Sequence, residues 1–132
     1  MNERRKSGNK GDVRSPCPVS CVLDLLGDKW TLLVIRDLLL GKKTYTEFQR
    51  SPEGIPTNIL ADRLKRLLKE DIAEKNQYQQ RPVRYAYRLT KKGRDLYPIL
   101  SAMIDWGNRY VEGSVPRETI EAMFKGRQKD TD

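Results

Sequence analysis

The 132-residue sequence contains no histidine. Histidine is the usual general base near neutral pH and a frequent metal ligand, so its absence argues against triad chemistry and most metalloenzyme designs. Cysteine is nearly absent as well. Cys17 and Cys21, four residues apart, form neither a disulfide framework nor a Cys/His zinc set. The carboxylates are scattered along helix surfaces and no glycine-rich phosphate loop is present, so neither an enzyme nor a bound cofactor or metal is expected. Long apolar runs are missing too. The longest, Trp30 to Leu40, is interrupted by Arg36 and Asp37 and falls far short of the roughly 20 residues of a membrane span. The stretch from Met1 to Arg14 is polar and carries no secretory signal, which makes the cytoplasm the expected location. The charge in deficit is the negative one: 18 Asp and Glu stand against 26 Lys and Arg, a net charge of +8. Such a balance favours polyanionic partners, with nucleic acid ahead of an anionic membrane surface.

A chain of this length has room for one domain. Residues 1–15 hold five basic residues, two acidic residues and two glycines without apolar periodicity, the composition of a mobile arm. Residues 16–112 are read as the domain and 113–132 as a charged tail, partly helical at best. Within the domain, Val19, Val22, Leu23, Leu25 and Leu26 give the spacing of a short amphipathic helix, broken at Gly27. A second, central helix is expected from about Asp28, a good N-cap, to Leu40, with Gly41 as its left-handed stop. Thr44-Tyr45-Thr46-Glu47 is a capping box that opens a third helix, which runs to about Arg50. After the turn Ser51-Pro52-Glu53-Gly54, a fourth helix is expected to reach Glu70, with Leu60, Leu64, Leu67 and Leu68 turned inward. Ile72 to Gln79 and Arg84 to Leu89 read as a hairpin with a basic tip. Thr90 caps a last long helix, Lys91 to Val111, which Pro98 should kink. Its apolar residues cover more than one core-facing stripe, so part of it is expected to pack on a second copy of the chain. Trp30 and Trp106 are read as core residues, with a small-molecule site beside either as the alternative.

The expected fold class is thus mainly α with a small β-hairpin. Two helices joined by a short turn, followed at once by a two-stranded wing, make a winged helix-turn-helix, lengthened at both ends for dimerisation. In the second helix of the pair, Thr57 and Asn58 occupy the first turn, the part that reaches base edges. Asp62, Lys65, Arg66 and Lys69 share its outer side. Asn pairs with adenine and Arg or Lys with guanine, while Asp62 either faces a cytosine amino group or pairs with Arg66. On the wing, Tyr78, Arg81 and Arg84 suit phosphate contacts or the minor groove. The plainer reading has Tyr85 and Tyr87 packed inward and the arginines keeping an edge soluble. Lys42, Lys43 and the Thr44 hydroxyl stand where backbone N–H groups at a helix start favour a phosphate.

Several segments resemble the HxlR-type family of bacterial and archaeal winged-helix regulators. They are Cys17-Pro18-Val19, Leu25-x-Gly27-x-Lys29-Trp30-Thr31-Leu32-Leu33, Arg36-Asp37-Leu38-x-Leu40-Gly41, Tyr45-x-Glu47-Phe48, Ser51-Pro52-Glu53-Gly54-Ile55, Thr57 through Leu64, Tyr85-x-Tyr87-x-Leu89-Thr90-x-x-Gly93 and Trp106-Gly107. The resemblance implies a homodimer, joined through the first and last helices, on an inverted-repeat operator in double-stranded DNA. It implies operator contacts from Thr57, Asn58 and Arg63; the place of Arg63 at the flank of the outer side, at about 100° per residue, makes phosphate its expected partner. Some regulators of that family sense oxidants or electrophiles through a cysteine at the position matching Cys17, and Cys17 here precedes a helix N-terminus that lowers a thiol pKa. The alternative for Cys17 is a small buried residue fastening the first helix, and Cys21 is read as packing. A winged-helix module that binds other proteins, with its charge serving only solubility, is the competing function.

Overall fold

A computed structural model describes residues 14–123. Eight elements follow in chain order: α1 (Pro18–Leu26), α2 (Thr31–Leu39), α3 (Tyr45–Gln49), α4 (Thr57–Lys69), β1 (Ala73–Gln80), β2 (Val83–Leu89), α5 (Lys91–Arg94) and α6 (Tyr97–Tyr110). A further helical segment, α7, spans 117–123. The expected arm lies outside the described residues except for Arg14 and Ser15, and Arg14 pairs with Asp24 at 2.6 Å.

The core forms where α2 and α4 meet the base of the hairpin. Leu26, Val34, Ile35, Leu38, Phe48, Leu60, Leu64, Leu67, Ile72, Tyr87 and Leu89 pack together there. α2 begins three residues later than expected. Asp28 still caps it, because its Oδ2 accepts the backbone N–H groups of Trp30 (3.0 Å) and Thr31 (3.1 Å) from the preceding turn. Both α2 and α4 end in the same hydrogen-bonded stop, which satisfies last-turn carbonyls that would otherwise be orphaned. After α2, Gly41 N–H reaches the Leu38 carbonyl and Lys42 N–H reaches Asp37, with Gly41 at φ 95°. After α4 the left-handed position is filled by Asp71, at φ 61°.

The long last helix is divided. α5 stops at Arg94, and Pro98 lies in the first turn of α6, because a proline ring lacks the N–H that a helix interior needs and suits a helix start. β1 and β2 pair antiparallel from Ala73↔Leu89 to Gln80↔Val83, with a register shift between Gln77 and Gln79 that leaves Tyr78 out of the pairing. A bulge of this kind re-aims the extra side chain. Only the base of the hairpin is buried. Tyr87 and Leu89 lie inside, whereas Tyr85, on the same face as Tyr87 but beyond the edge of the core, is exposed.

Beyond residue 113 the chain returns to α6. Arg117 binds Asp105, the Ser101 carbonyl and the Ser101 hydroxyl through its guanidinium, and its backbone N–H donates to Asn108. Among the described residues no helix is long and apolar enough to cross a membrane.

Candidate nucleic-acid interface

Three stripes run along α4. Leu60, Leu64 and Leu67 are buried. Asn58, Asp62, Lys65 and Lys69, spaced four, three and four residues apart, are exposed; at about 100° per residue this spacing keeps them on one line. Arg63 and Arg66 lie between these stripes and point back into the protein. Arg63 Nε donates to Asp28 Oδ2 at 2.9 Å, and its Nη1 donates to Asp62. Arg66 Nη2 donates to the Leu25 carbonyl at 2.9 Å and its Nη1 stands 3.8 Å from Asp28 Oδ1. Of the two alternatives for Asp62, the pair with Arg66 does not form; Asp62 pairs with Arg63 instead, because Arg66 is drawn to the end of α1.

Thr57 opens α4 and is exposed. Its hydroxyl accepts from Gln49 Nε2 at 3.1 Å across the turn. Gln49 was not among the expected site residues; its place at the end of the short α3 is the signal that would have found it. Lys42, in contrast, turns inward. Its Nζ donates to Ser51 Oγ at 2.6 Å and lies 3.8 Å from Asp37, whose carboxylate is buried and also held by Arg36 and Ser51. Lys43 keeps an exposed side chain. The capping box is formed, so the Thr44 hydroxyl and the backbone N–H groups of Lys43 and Thr44 are all engaged with Glu47. A carboxylate thus takes the place a phosphate would need at that helix start.

The wing is fixed to this region by its own backbone, since Tyr87 N–H donates to the Lys43 carbonyl at 2.9 Å. Burial raises the Tyr87 phenol to a pKa of about 12, with Tyr45 adding to the shift. Towards the tip, Tyr78, Arg81 and Arg84 are exposed. Gln79 closes the turn on the Arg81 and Pro82 carbonyls. Lys75, another residue the sequence reading passed over, sits 4.3 Å over the Tyr85 ring. Diagonal cross-strand neighbours come within such reach.

At the other end of the molecule Cys17 is exposed at the N-cap of α1. Its thiol is pulled below its ordinary pKa by the backbone N–H groups of Ser20 and then Val19, which favour the thiolate. The expectation of a buried packing residue does not hold there. Cys21 is half-buried, its thiol 3.6 Å from the Ser15 carbonyl. Trp106 is likewise no core residue, being 62% exposed.

A helix pair with an exposed polar stripe on its second member, flanked by a basic hairpin, defines a winged helix-turn-helix of the DNA-binding transcription-regulator class. Residues 25–115 match the model of the HxlR-like helix-turn-helix, and the chain belongs to that family. It is 35% identical over 113 residues to the HTH-type transcriptional regulator YdeP of Bacillus subtilis (strain 168), covering 86% of each chain. It is 34% identical over 93 residues to the HTH-type regulator Rv3095 of Mycobacterium tuberculosis, covering 70% of this chain and 58% of that protein's length. Among solved structures, the redox regulator HypR in its oxidized form superposes with a TM-score of 0.66 at 34% identity, over 73% of this chain and 99% of HypR.

Proposed function

We propose that this protein is a cytoplasmic homodimeric regulator that binds an inverted-repeat operator. The observation that carries DNA readout is the exposed α4 stripe. Thr57 and Asn58 lead into the major groove, and Lys65 and Lys69 follow along the same line. Asp62 suits a cytosine amino group on that line. Lys43, Tyr78, Arg81 and Arg84 supply positioning contacts to the backbone. Arg63 and Arg66, engaged with Asp28 and Leu25, support the helix instead of touching phosphate.

Dimerisation is supported by α6. None of its residues is fully buried in the single chain, and Ile99, Met103, Trp106 and Tyr110 form an exposed apolar seam at spacings of four, three and four. Val19, Val22 and Leu23 of α1 are exposed as well. Two-fold pairing through these helices would set two α4 helices on successive major grooves, about 34–36 Å apart. The test is selection of bound fragments from random duplex DNA, followed by a salt titration of the winning duplex. The expected result is a palindromic site whose affinity falls by about 10³–10⁵ between 50 and 200 mM salt, as 6–10 phosphate contacts would require. Equal binding to every duplex would overturn the reading.

Cys17 is the proposed oxidant sensor. Its exposure and lowered pKa suit a reactive thiolate, and the similar HypR is a redox regulator. Two Cys17 thiols, one per subunit, would lose two protons and two electrons to the oxidant and join as a disulfide, changing the angle between the subunits. Diamide should therefore release the wild type from its selected duplex and leave Cys17→Ser bound. An unchanged diamide response in that variant would remove the sensor role.

A further inference from the structure

The α1–α2 joint carries a carboxylate with more partners than a helix cap requires. Asp28 Oδ2 accepts the N–H groups of Trp30 and Thr31 and also the Arg63 Nε at 2.9 Å, while Oδ1 accepts the Thr31 hydroxyl and faces Arg66 Nη1 at 3.8 Å. An ionised carboxylate offers about four acceptor positions, so Asp28 is saturated. Burial disfavours its charge, but the hydrogen bonds from Thr31, Arg63 and Trp30 outweigh that effect and hold the carboxyl well below the usual range. Arg66 completes the connection by donating to Leu25 in the last turn of α1, where a cation is favoured by the helix dipole. Two arginines of α4 are thereby tied to the joint between α1 and α2, and α1 bears the exposed Val19, Val22 and Leu23.

The apolar side of α4 determines which face is buried, but contacts among Leu60, Leu64 and Leu67 are not directional. Hydrogen bonds are directional. Thr57 lies six residues before Arg63, about 9 Å along the axis at 1.5 Å per residue. A tilt of about 10° pivoting at Arg63 would move Thr57 by roughly 1.6 Å, beyond the ~0.5 Å within which a binding constellation stays productive.

We propose that Asp28 is a positioning residue for operator recognition: through Arg63 and Arg66 it fixes the angle between the recognition helix α4 and the dimer-facing helix α1, and so sets sequence discrimination without touching DNA. This rests on the operator-binding reading above. The experiment compares Asp28→Asn, Arg63→Lys and the double variant with the wild type. Each is measured on the duplex that the wild type selects from random DNA and on a scrambled duplex of equal composition, at a temperature where circular dichroism reports every variant folded.

Asp28→Asn should bind the selected duplex about tenfold more weakly, the loss expected of one good base contact. On the scrambled duplex it should bind as well as the wild type or better, since a negative charge is removed. Arg63→Lys keeps the charge but not the directed Nε bond, and should lose discrimination to the same degree. The double variant should be no worse than either single one, because both break one connection. Tighter binding of the selected duplex by Asp28→Asn would overturn the proposal, because it would mean that freed Arg63 reaches phosphate. Unchanged discrimination in Arg63→Lys would overturn it as well. A wild type with no preferred duplex would instead remove the operator reading itself.

Discussion

Gly93 illustrates how a single residue determines the placement of a whole element. It is buried in α5, and a Cβ built there would lie 2.2 Å from the Ile72 carbonyl oxygen and 2.8 Å from Leu89 Cδ2. Thr90 holds the same junction from the other side, donating its hydroxyl to the Asp71 and Ile72 carbonyls and accepting the Gly93 N–H. The backbone oxygen cannot give way without disturbing the start of β1, so Gly93→Ala should destabilise the fold by about 2 kcal/mol or more. A thermal melt is the check, with an expected fall on the order of 5–10 °C; an unchanged melting temperature would mean that the junction is looser than its geometry implies. At this scale the sequence was only partly informative. Thr90 and Gly93 stood out as matches to a family motif, but nothing in their spacing announced that Gly93 lies against Ile72, a contact between residues 21 positions apart.

At the scale of elements, α4 and the wing divide the work of binding. Asn58 projects from the first turn of α4, whereas Arg84 is exposed near the hairpin tip. Asn58→Ala should lower affinity for the selected duplex by about 1–3 kcal/mol and relax preference at one position of each half-site, leaving the salt slope as it was. Arg84→Ala should weaken selected and scrambled duplexes alike and reduce the salt slope by about one contact per subunit. Fluorescence anisotropy over a salt series on both duplexes distinguishes them, and identical profiles for the two variants would contradict the division. The elements themselves were largely readable from local signals: the capping box at Thr44, the leucine spacing of α4, the stop at Gly41 and the breadth of apolar residues in the last helix. The outer side of α4 was less readable. Angular projection grouped Arg66 with Lys65 and Lys69, yet Arg66 turns to Leu25 and Lys65 does not. An arginine at the edge of a stripe goes where a carbonyl and a carboxylate happen to lie.

At the scale of the whole molecule, the uncovered seam of α6 is the dominant feature. Met103 is 54% exposed, and further along the seam the Trp106 and Tyr110 rings meet at a tilt of 48° with 5.1 Å between centroids. Charge placed on this seam should prevent association while leaving the core, centred on α2 and α4, undisturbed. Met103→Glu is therefore expected to convert a dimer to a monomer by sedimentation at micromolar concentration, with an unchanged far-ultraviolet spectrum and a loss of affinity for a two-half-site duplex larger than for one half-site. An unaltered sedimentation coefficient would place the interface elsewhere.

The sequence by itself determined the order of helices and strands, the winged helix-turn-helix and the basic character of the surface, because caps, apolar periodicity and net charge act over a few residues or sum over all of them. Only the tertiary structure decided which cations face outward. Lys42 is drawn to Asp37 and Ser51, and Arg63 and Arg66 to Asp28 and Leu25. It likewise decided that Cys17 and Trp106 are exposed. The physical reason is the same in each case. A long polar side chain follows the nearest unsatisfied partner, and burial depends on what packs opposite, and both are fixed by residues distant in sequence.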